Sequence, residues 1–176
     1  LTGFDRENLF VNIVKGEDKR RYILKYIKEN INDSGIIYAA TRKEVDSLEE
    51  YLKKKGIETL TYHAGLKDEV RLKNQEDFIN DKVNVMIATN AFGMGIDKPN
   101  IRYVIHHNMP KNIESYYQEI GRAGRDGEDS ECIMLFSPGD VKTQKYLIEI
   151  GTENIERKQN NTLILSSKRL QYKFEI

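Results

Sequence analysis

Residues 35–44 read Gly35-Ile36-Ile37-Tyr38-Ala39-Ala40-Thr41-Arg42-Lys43-Glu44. The first six are apolar or small without alternation, which describes a strand covered on both faces, as in parallel sheets. The last four have the T-x-x-E capping-box pattern of a helix start. Val45, Leu48 and Leu52 give that helix a buried stripe, and Gly56 ends it. Outward from this unit the alternation repeats. Leu9 to Val14 reads as a strand, and Asp18 to Glu29 as a helix with Tyr22, Ile23, Tyr26 and Ile27 at helical spacing. A strand over Thr59 to Tyr62, a helix over Asp68 to Ile79 and a strand over Val83 to Ala88 follow. Then come a strand over Ile101 to His106, a helix over Ile113 to Arg122 with Asn112 as its N-cap, and a last strand over Glu131 to Phe136. Strands spaced by such helices predict right-handed βαβ crossovers, and so an α/β fold with a mostly parallel sheet and helices on both faces. Ligands of such sheets bind at the carboxyl ends of the strands. That rule selects the loops starting at Thr41, His63, Thr89 and His107.

Composition limits the classes of function. With 176 residues, 39% of them apolar, the chain suits one domain with a real core and is too short for two sizeable ones. Lys plus Arg equals Asp plus Glu at 28 each, so no global basic field announces a nucleic-acid partner and any such binding must be local. A single cysteine, Cys132, excludes an internal disulfide and a cysteine-rich zinc site, and fits a reducing compartment. His63, His106 and His107 show no metal-ligand spacing, so no metal is predicted. With no apolar run of 18 residues and no signal peptide, a soluble, cytoplasmic protein without membrane contact is expected. The first residue is Leu1, as expected of a fragment of something longer.

Two segments carry chemistry. In Ser115-Tyr116-Tyr117-Gln118-Glu119-Ile120-Gly121-Arg122-Ala123-Gly124-Arg125-Asp126-Gly127, a helical reading puts Gln118, Arg122 and Arg125 at i, i+4 and i+7, with both guanidiniums on one face. A guanidinium matches phosphate with two parallel hydrogen bonds, whereas a solvated basic helix end is the plainer reading. Gly121 and Gly124 each cost roughly 1 kcal/mol in a helix interior relative to Ala, so close backbone approach is the expected reason for them. The second segment, Thr89-Asn90-Ala91-Phe92-Gly93-Met94-Gly95-Ile96-Asp97-Lys98-Pro99, leaves a buried strand with two glycines, a carboxylate and free amides. It lacks the third glycine and following helix of a dinucleotide fingerprint. Thr41 and Arg42 offer a hydroxyl and a guanidinium at a helix N-terminus, suited to a backbone phosphate or simply to a cap. His63 ends a strand with a donor imidazole, although a lone histidine is more often structural. Asp68-Glu69-Val70-Arg71 lacks the preceding strand of an acidic metal box and reads as a helix start with acids at the positive end of the dipole. No Gly-Lys dipeptide occurs in the chain, so the phosphate-cradling loop of a nucleoside triphosphatase is missing and ATP hydrolysis by this chain alone is not expected.

Together, G-I-I-Y-A-A-T-R at 35–42, Y-H-A-G-L at 62–66, A-T-N-A-F-G-M-G-I-D-K-P at 88–99 and S-Y-Y-Q-E-I-G-R-A-G-R-D-G at 115–127 resemble motif IV, its follower, and motifs V and VI of the RecQ DNA helicases. Phe4-Asp5-Arg6-Glu7-Asn8 resembles the F-D-R-x-N lead-in to that family's second lobe. The resemblance covers residues 3 to about 158. A DEAD-box RNA helicase would show H-R-x-G-R-x-G-R and A-R-G-I-D instead; Gln118 and Met94 stand at the telling positions.

The resemblance implies a RecA-like lobe without a P-loop over residues 1–158. It would be the second motor lobe of an ATP-dependent, 3′-to-5′ DNA helicase of repair and recombination, DNA-associated in the cytoplasm or, in a eukaryote, the nucleus. ATP and Mg2+ would sit mainly on a first RecA-like lobe of the same parent chain. Arg125 would be the arginine finger, Arg122 a second phosphate contact, and Gln118 and Asp97 the links between nucleotide state and lobe position, with Gly95 beside the nucleotide. Thr41, Arg42, His63, Thr89 and Asn90, with Gly93 allowing close approach, would hold single-stranded or duplex DNA by its backbone. Residues 159–176 depart from the pattern: the family's four-cysteine zinc module is missing, no zinc is expected, and an incomplete tail is inferred, with an apolar Thr162–Leu165 piece against the core. Two rival readings are a lobe of another helicase or translocase, RNA-directed ones included, and a non-catalytic nucleotide-binding module.

Overall fold

The computed structural model describes residues 6–89, 92, 96–137 and the strand Gln171–Tyr172. In chain order the elements are β1 (Leu9–Lys15), α1 (Lys19–Glu29), β2 (Ser34–Tyr38), α2 (Arg42–Lys54), β3 (Leu60–Tyr62), α3 (Asp68–Ile79), β4 (Val85–Ala88), β5 (Ile101–His106), α4 (Ile113–Ile120), β6 (Ser130–Phe136) and β7 (Gln171–Tyr172). They form one sheet in the order β3-β4-β2-β5-β6-β1-β7. Every pairing is parallel.

Alternation along the strands builds two cores. Ile37, Val85, Ile87, Ile105, Ile133 and Leu135 face Ile23 and Ile27 of α1 and Val45, Leu48 and Leu52 of α2. On the other face Ile36, Tyr38, Met86, Ala88, Val104 and Met134 meet Phe78 of α3 and Tyr116, Tyr117 and Ile120 of α4. Ile23, Ile27 and Leu52 are completely removed from water, each worth about 1.5–3 kcal/mol. Helix starts follow the expected chemistry. Asp18 accepts from the Arg21 amide at 3.2 Å, Thr41 from the Glu44 amide at 3.1 Å and Asn112 from the Ser115 amide at 2.8 Å. Asp68 and Glu69 lie in the first turn of α3, and Gly56 follows α2 with φ +81°.

The boundaries shift where other bonds compete. β2 stops at Tyr38 because the Ala40 amide leaves the ladder for the Asn108 side chain at 2.9 Å. α4 stops at Ile120 rather than Arg122, because Gly121 caps it and Gly124 turns left-handed at φ +58°. Among the described residues between β4 and β5 no helix occurs. β2 lies between those strands in the sheet, and the Tyr38 hydroxyl donates to the carbonyl of Phe92 at 3.3 Å. Phe92 packs edge-on against Phe78 and Tyr62 at 6.0 and 5.0 Å between ring centres and joins the core cluster that holds Ile36 and Tyr38 of β2. The apolar tail piece at 162–165 lies outside the described residues. Among the described residues no helix is long and apolar enough to cross a membrane.

Candidate nucleotide and nucleic-acid site

The carboxyl ends of β3, β4, β2 and β5, neighbours in the sheet, bring His63, Thr89, Thr41 and His107 to one edge, as the strand-end rule predicts. Their chemistry there differs from the expectation in part. His63 is only 5% exposed, and both ring nitrogens are engaged: Nδ1 accepts from the Gly65 amide at 3.0 Å and Nε2 donates to Asp46 at 2.9 Å. This imidazole therefore has no donor left for a phosphate; its role is to shape the turn at Gly65. The Thr41 hydroxyl caps α2 and also donates to Glu44 at 3.2 Å. Thr89 is buried, its amide bonded to the Tyr62 carbonyl at 3.2 Å. Arg42 is exposed, and its side chain runs past Gly65. Of Thr41, Arg42, His63 and Thr89, Arg42 is the exposed side chain whose donors are not committed to a neighbour. Asn90, Gly93 and Gly95 lie outside the described residues.

The arginine segment lies at the opposite edge. The Gly124 amide bonds the carbonyl of Ile101, the first residue of β5, at 2.8 Å, and the Asp126 amide bonds that of Pro99 at 3.1 Å. The backbone of Arg122 and Arg125 therefore belongs to a turn anchored at the amino end of β5, not to a helix face, although the Arg122 charge reaches Tyr38 at the end of β2, and Gln118 is an exposed residue of α4 apart from the turn. Nor are the two arginines idle. Arg125 donates through Nη1 to the Ile96 carbonyl at 3.2 Å and through Nε to the Gly121 carbonyl at 3.4 Å, with Asp97 at 3.6 Å. Its side chain stays 37% exposed and that of Asp97 88%, so this ion pair is open to solvent and easily exchanged for a stronger anion. Arg122 is half-buried, and its charge opposes the rise that burial imposes on the pKa of the Tyr38 phenol. The glycines serve the turn itself. At Gly124 a Cβ would lie 2.5 Å from the Asn8 amide nitrogen and 2.7 Å from Ser130 Oγ.

Sequence reasoning missed three supports of this site. Lys98, 1% exposed, pairs with Asp81 at 2.5 Å and lies 5.1 Å from the centre of the Phe78 ring, fixing the chain directly after Asp97. Asp81 itself has φ +57°, directly after Asn80, the C-cap of α3. His106 and Glu119 form a buried pair at 3.1 Å that ties β5 to α4. Arg6 and Asn8 bind the arginine turn, and their signal was present in the F-D-R-x-N string, read only as a family mark. Among the described residues no group of three potential metal ligands occurs.

The parallel sheet with helices on both faces is a RecA-like α/β fold, and the sequence carries no Gly-Lys dipeptide of a P-loop. Residues 18–127, more than half of the chain, match the helicase conserved C-terminal domain. The chain is 54% identical over 159 residues to the ATP-dependent DNA helicase RecQ of Bacillus subtilis, covering 90% of this chain and 27% of that protein. It is 46% identical to the RecQ-like DNA helicase BLM of Xenopus laevis, covering 90% of this chain and 12% of the relative. The structure of S. cerevisiae Dbp5 bound to RNA and ADP BeF3 shares the fold with a TM-score of 0.72 at 23% identity, over 90% of this chain and 46% of the other. E. coli DEAD-box protein SrmB, solved bound to regulator of ribonuclease activity A, gives 0.70 at 22%, over 81% and 85%. The chain belongs to the helicase C-terminal domain family and, within it, is the C-terminal lobe of the RecQ type. It spans about a quarter of the length of the B. subtilis relative.

Proposed function

We propose that this lobe is the second half of a 3′-to-5′ DNA-translocating motor, which completes an ATP site held mainly by a first lobe and grips a DNA backbone at its other edge. The observation that carries this reading is the junction of Arg125 with Ile96 and Asp97: a half-exposed guanidinium is held by a carbonyl and a weak, solvated ion pair. Such a fork can leave Asp97 for a γ-phosphate without leaving its anchor. As an arginine finger it would stabilise charge spread over a loose transition state, an effect of roughly 10³–10⁵ in rate. Arg122 is a second phosphate contact, and Gln118, Asp97 and Gly95 report nucleotide state to lobe position. Two arginines without a P-loop fit only the outer side of a triphosphate, so ATP and Mg2+ are assigned to the first lobe.

At the carboxyl edge Arg42 meets the DNA backbone directly, with Thr89, Asn90 and Gly93 offering further groups and Thr41 and His63 shaping the surface. Phosphate contacts carry no base information, as a translocase requires. The connection from β4 to β5 starts at Thr89 and includes Ile96, whose carbonyl holds Arg125. That gives a direct covalent route from nucleotide state to DNA grip. Calorimetric titration of the isolated chain tests the division of labour. Single-stranded DNA should bind weakly and Mg-ATP should give no heat of tight binding; tight ATP binding without a first lobe would reject the trans-acting role.

A further inference from the structure

We propose that Arg6 and Asn8 are positioning residues for the arginine pair: the segment leading into β1 clamps the turn that carries Arg122 and Arg125 and sets where both guanidiniums stand. This inference rests on the reading of Arg125 as the finger. Arg6 donates through Nη1 to the Gly121 carbonyl at 2.9 Å and through Nη2 to the Ala123 carbonyl. The Asn8 amide donates to the carbonyls of Gly124 at 2.7 Å and Glu128 at 2.8 Å. The Asn8 carbonyl accepts from the Ser130 amide at 2.9 Å, so the clamp is anchored to β6 as well. Four carbonyls spanning Gly121 to Glu128 are thus held from a segment more than a hundred residues away in sequence, and they bracket both arginines.

The fit is specific in shape and in charge. Gly124 adopts φ +58° with the Asn8 amide where a Cβ would stand, so the left-handed turn and the clamp require each other. Arg6 is half-buried, and burial first, then the nearby Arg125 charge, lower its pKa. Arg6 Nη1 and Arg125 Nε share the Gly121 carbonyl at 2.9 and 3.4 Å, so the clamp holds the base of the Arg125 guanidinium while its Nη1 stands toward Ile96 and Asp97. A planar fork with two parallel donors suits this task, and a lysine would hold only one carbonyl while keeping the charge.

The test uses Arg6→Lys and Asn8→Ser in the intact parent helicase, alone and combined with Arg125→Ala. For each single variant, DNA-stimulated kcat should fall by about 10²-fold, the loss expected when a reacting group is misplaced by about 1 Å. KM for ATP and affinity for DNA should stay within about two-fold, because ground-state binding is untouched. Each double variant should be no more than about two-fold slower than Arg125→Ala alone, since the clamp acts only through the finger. Losses that multiply in the double variants, or a fall in DNA affinity matching the fall in kcat, would overturn the positioning role. Unchanged kcat in Arg6→Lys and Asn8→Ser beside an inactive Arg125→Ala would also overturn it while leaving the finger intact. Unchanged kcat in Arg125→Ala itself would instead reject the finger, and the clamp with it. If Arg6→Lys fails to fold, as read by circular dichroism, Asn8→Ser carries the same decision.

Discussion

Replacing Gly124 by Ala perturbs the arginine turn without touching either arginine. The added methyl meets two separate penalties. An L-residue at φ +58° costs about 1–2 kcal/mol in the left-handed region. A Cβ only 2.5 Å from Asn8 Nδ2 and 2.9 Å from the Glu128 carbonyl also displaces the Asn8 amide and breaks its bonds at 2.7 and 2.8 Å, each worth about 1 kcal/mol net. The expected loss is therefore about 3–4 kcal/mol, a large share of the stability of a domain of this size. Gly127→Ala is the matched control: φ is +84° but nothing lies within 4 Å of its Cβ, so only the backbone penalty of about 1–2 kcal/mol applies. Urea unfolding followed by far-ultraviolet circular dichroism reads both, with stability changes taken at constant m-value. A Gly124→Ala loss no larger than that of Gly127→Ala would refute the claim that Asn8 and Gly124 are packed as one unit.

Other parts of the fold make equally definite claims. Gly35→Ala places a Cβ 1.9 Å from the Tyr103 ring, and overpacking of the β2–β5 contact should destabilise the chain by about 1–3 kcal/mol in the same unfolding assay. Asp81→Asn, which tolerates the positive φ but leaves the Lys98 ammonium buried without its counter-charge, should cost about 2–3 kcal/mol and more than Lys98→Met; the reverse order would contradict the pairing at 2.5 Å. Burial pushes the Cys132 thiol from 9.0 up to about 12 and raises the Tyr38 and Tyr103 phenols further, so the folded state keeps protons that the unfolded chain releases. The contribution of these groups to stability should be complete below pH 9.0 and fall as pH rises above it, seen as a declining urea midpoint. Arg42→Ala should weaken single-stranded DNA binding by the parent helicase and reduce the log–log salt slope by roughly one phosphate contact.

The layered fold was legible because burial leaves a period in the sequence. The unbroken run 35–40 announced a two-sided strand, and Thr41, Asn112 and Asp68 marked three helix starts through polar groups that act within their own turn. Strand order left no such trace, since β3-β4-β2-β5 depends on contacts between distant segments. The same difference separates the site residues. Arg122 and Arg125 were found by spacing, yet their helical face was wrong because Gly121 and Gly124 are turn-formers whose partners, Arg6 and Asn8, lie far away in the chain. His63 looked like a free donor because a sequence does not say that Asp46 and Gly65 already occupy both nitrogens. Lys98 was hidden for a similar reason: its partner Asp81 lies 17 residues earlier, and the Asn80-Asp81 pair that marks the turn after α3 does not say which cation it will meet.

The central claim is that Arg125 acts on a nucleotide held by another lobe, and single-turnover ATP hydrolysis by the intact parent carrying Arg125→Ala tests it most directly. With saturating single-stranded DNA, ATP binding should be largely retained while the hydrolytic step slows by about 10³-fold or more. A hydrolytic step at the wild-type rate, or a loss explained entirely by weaker ATP binding, would contradict it.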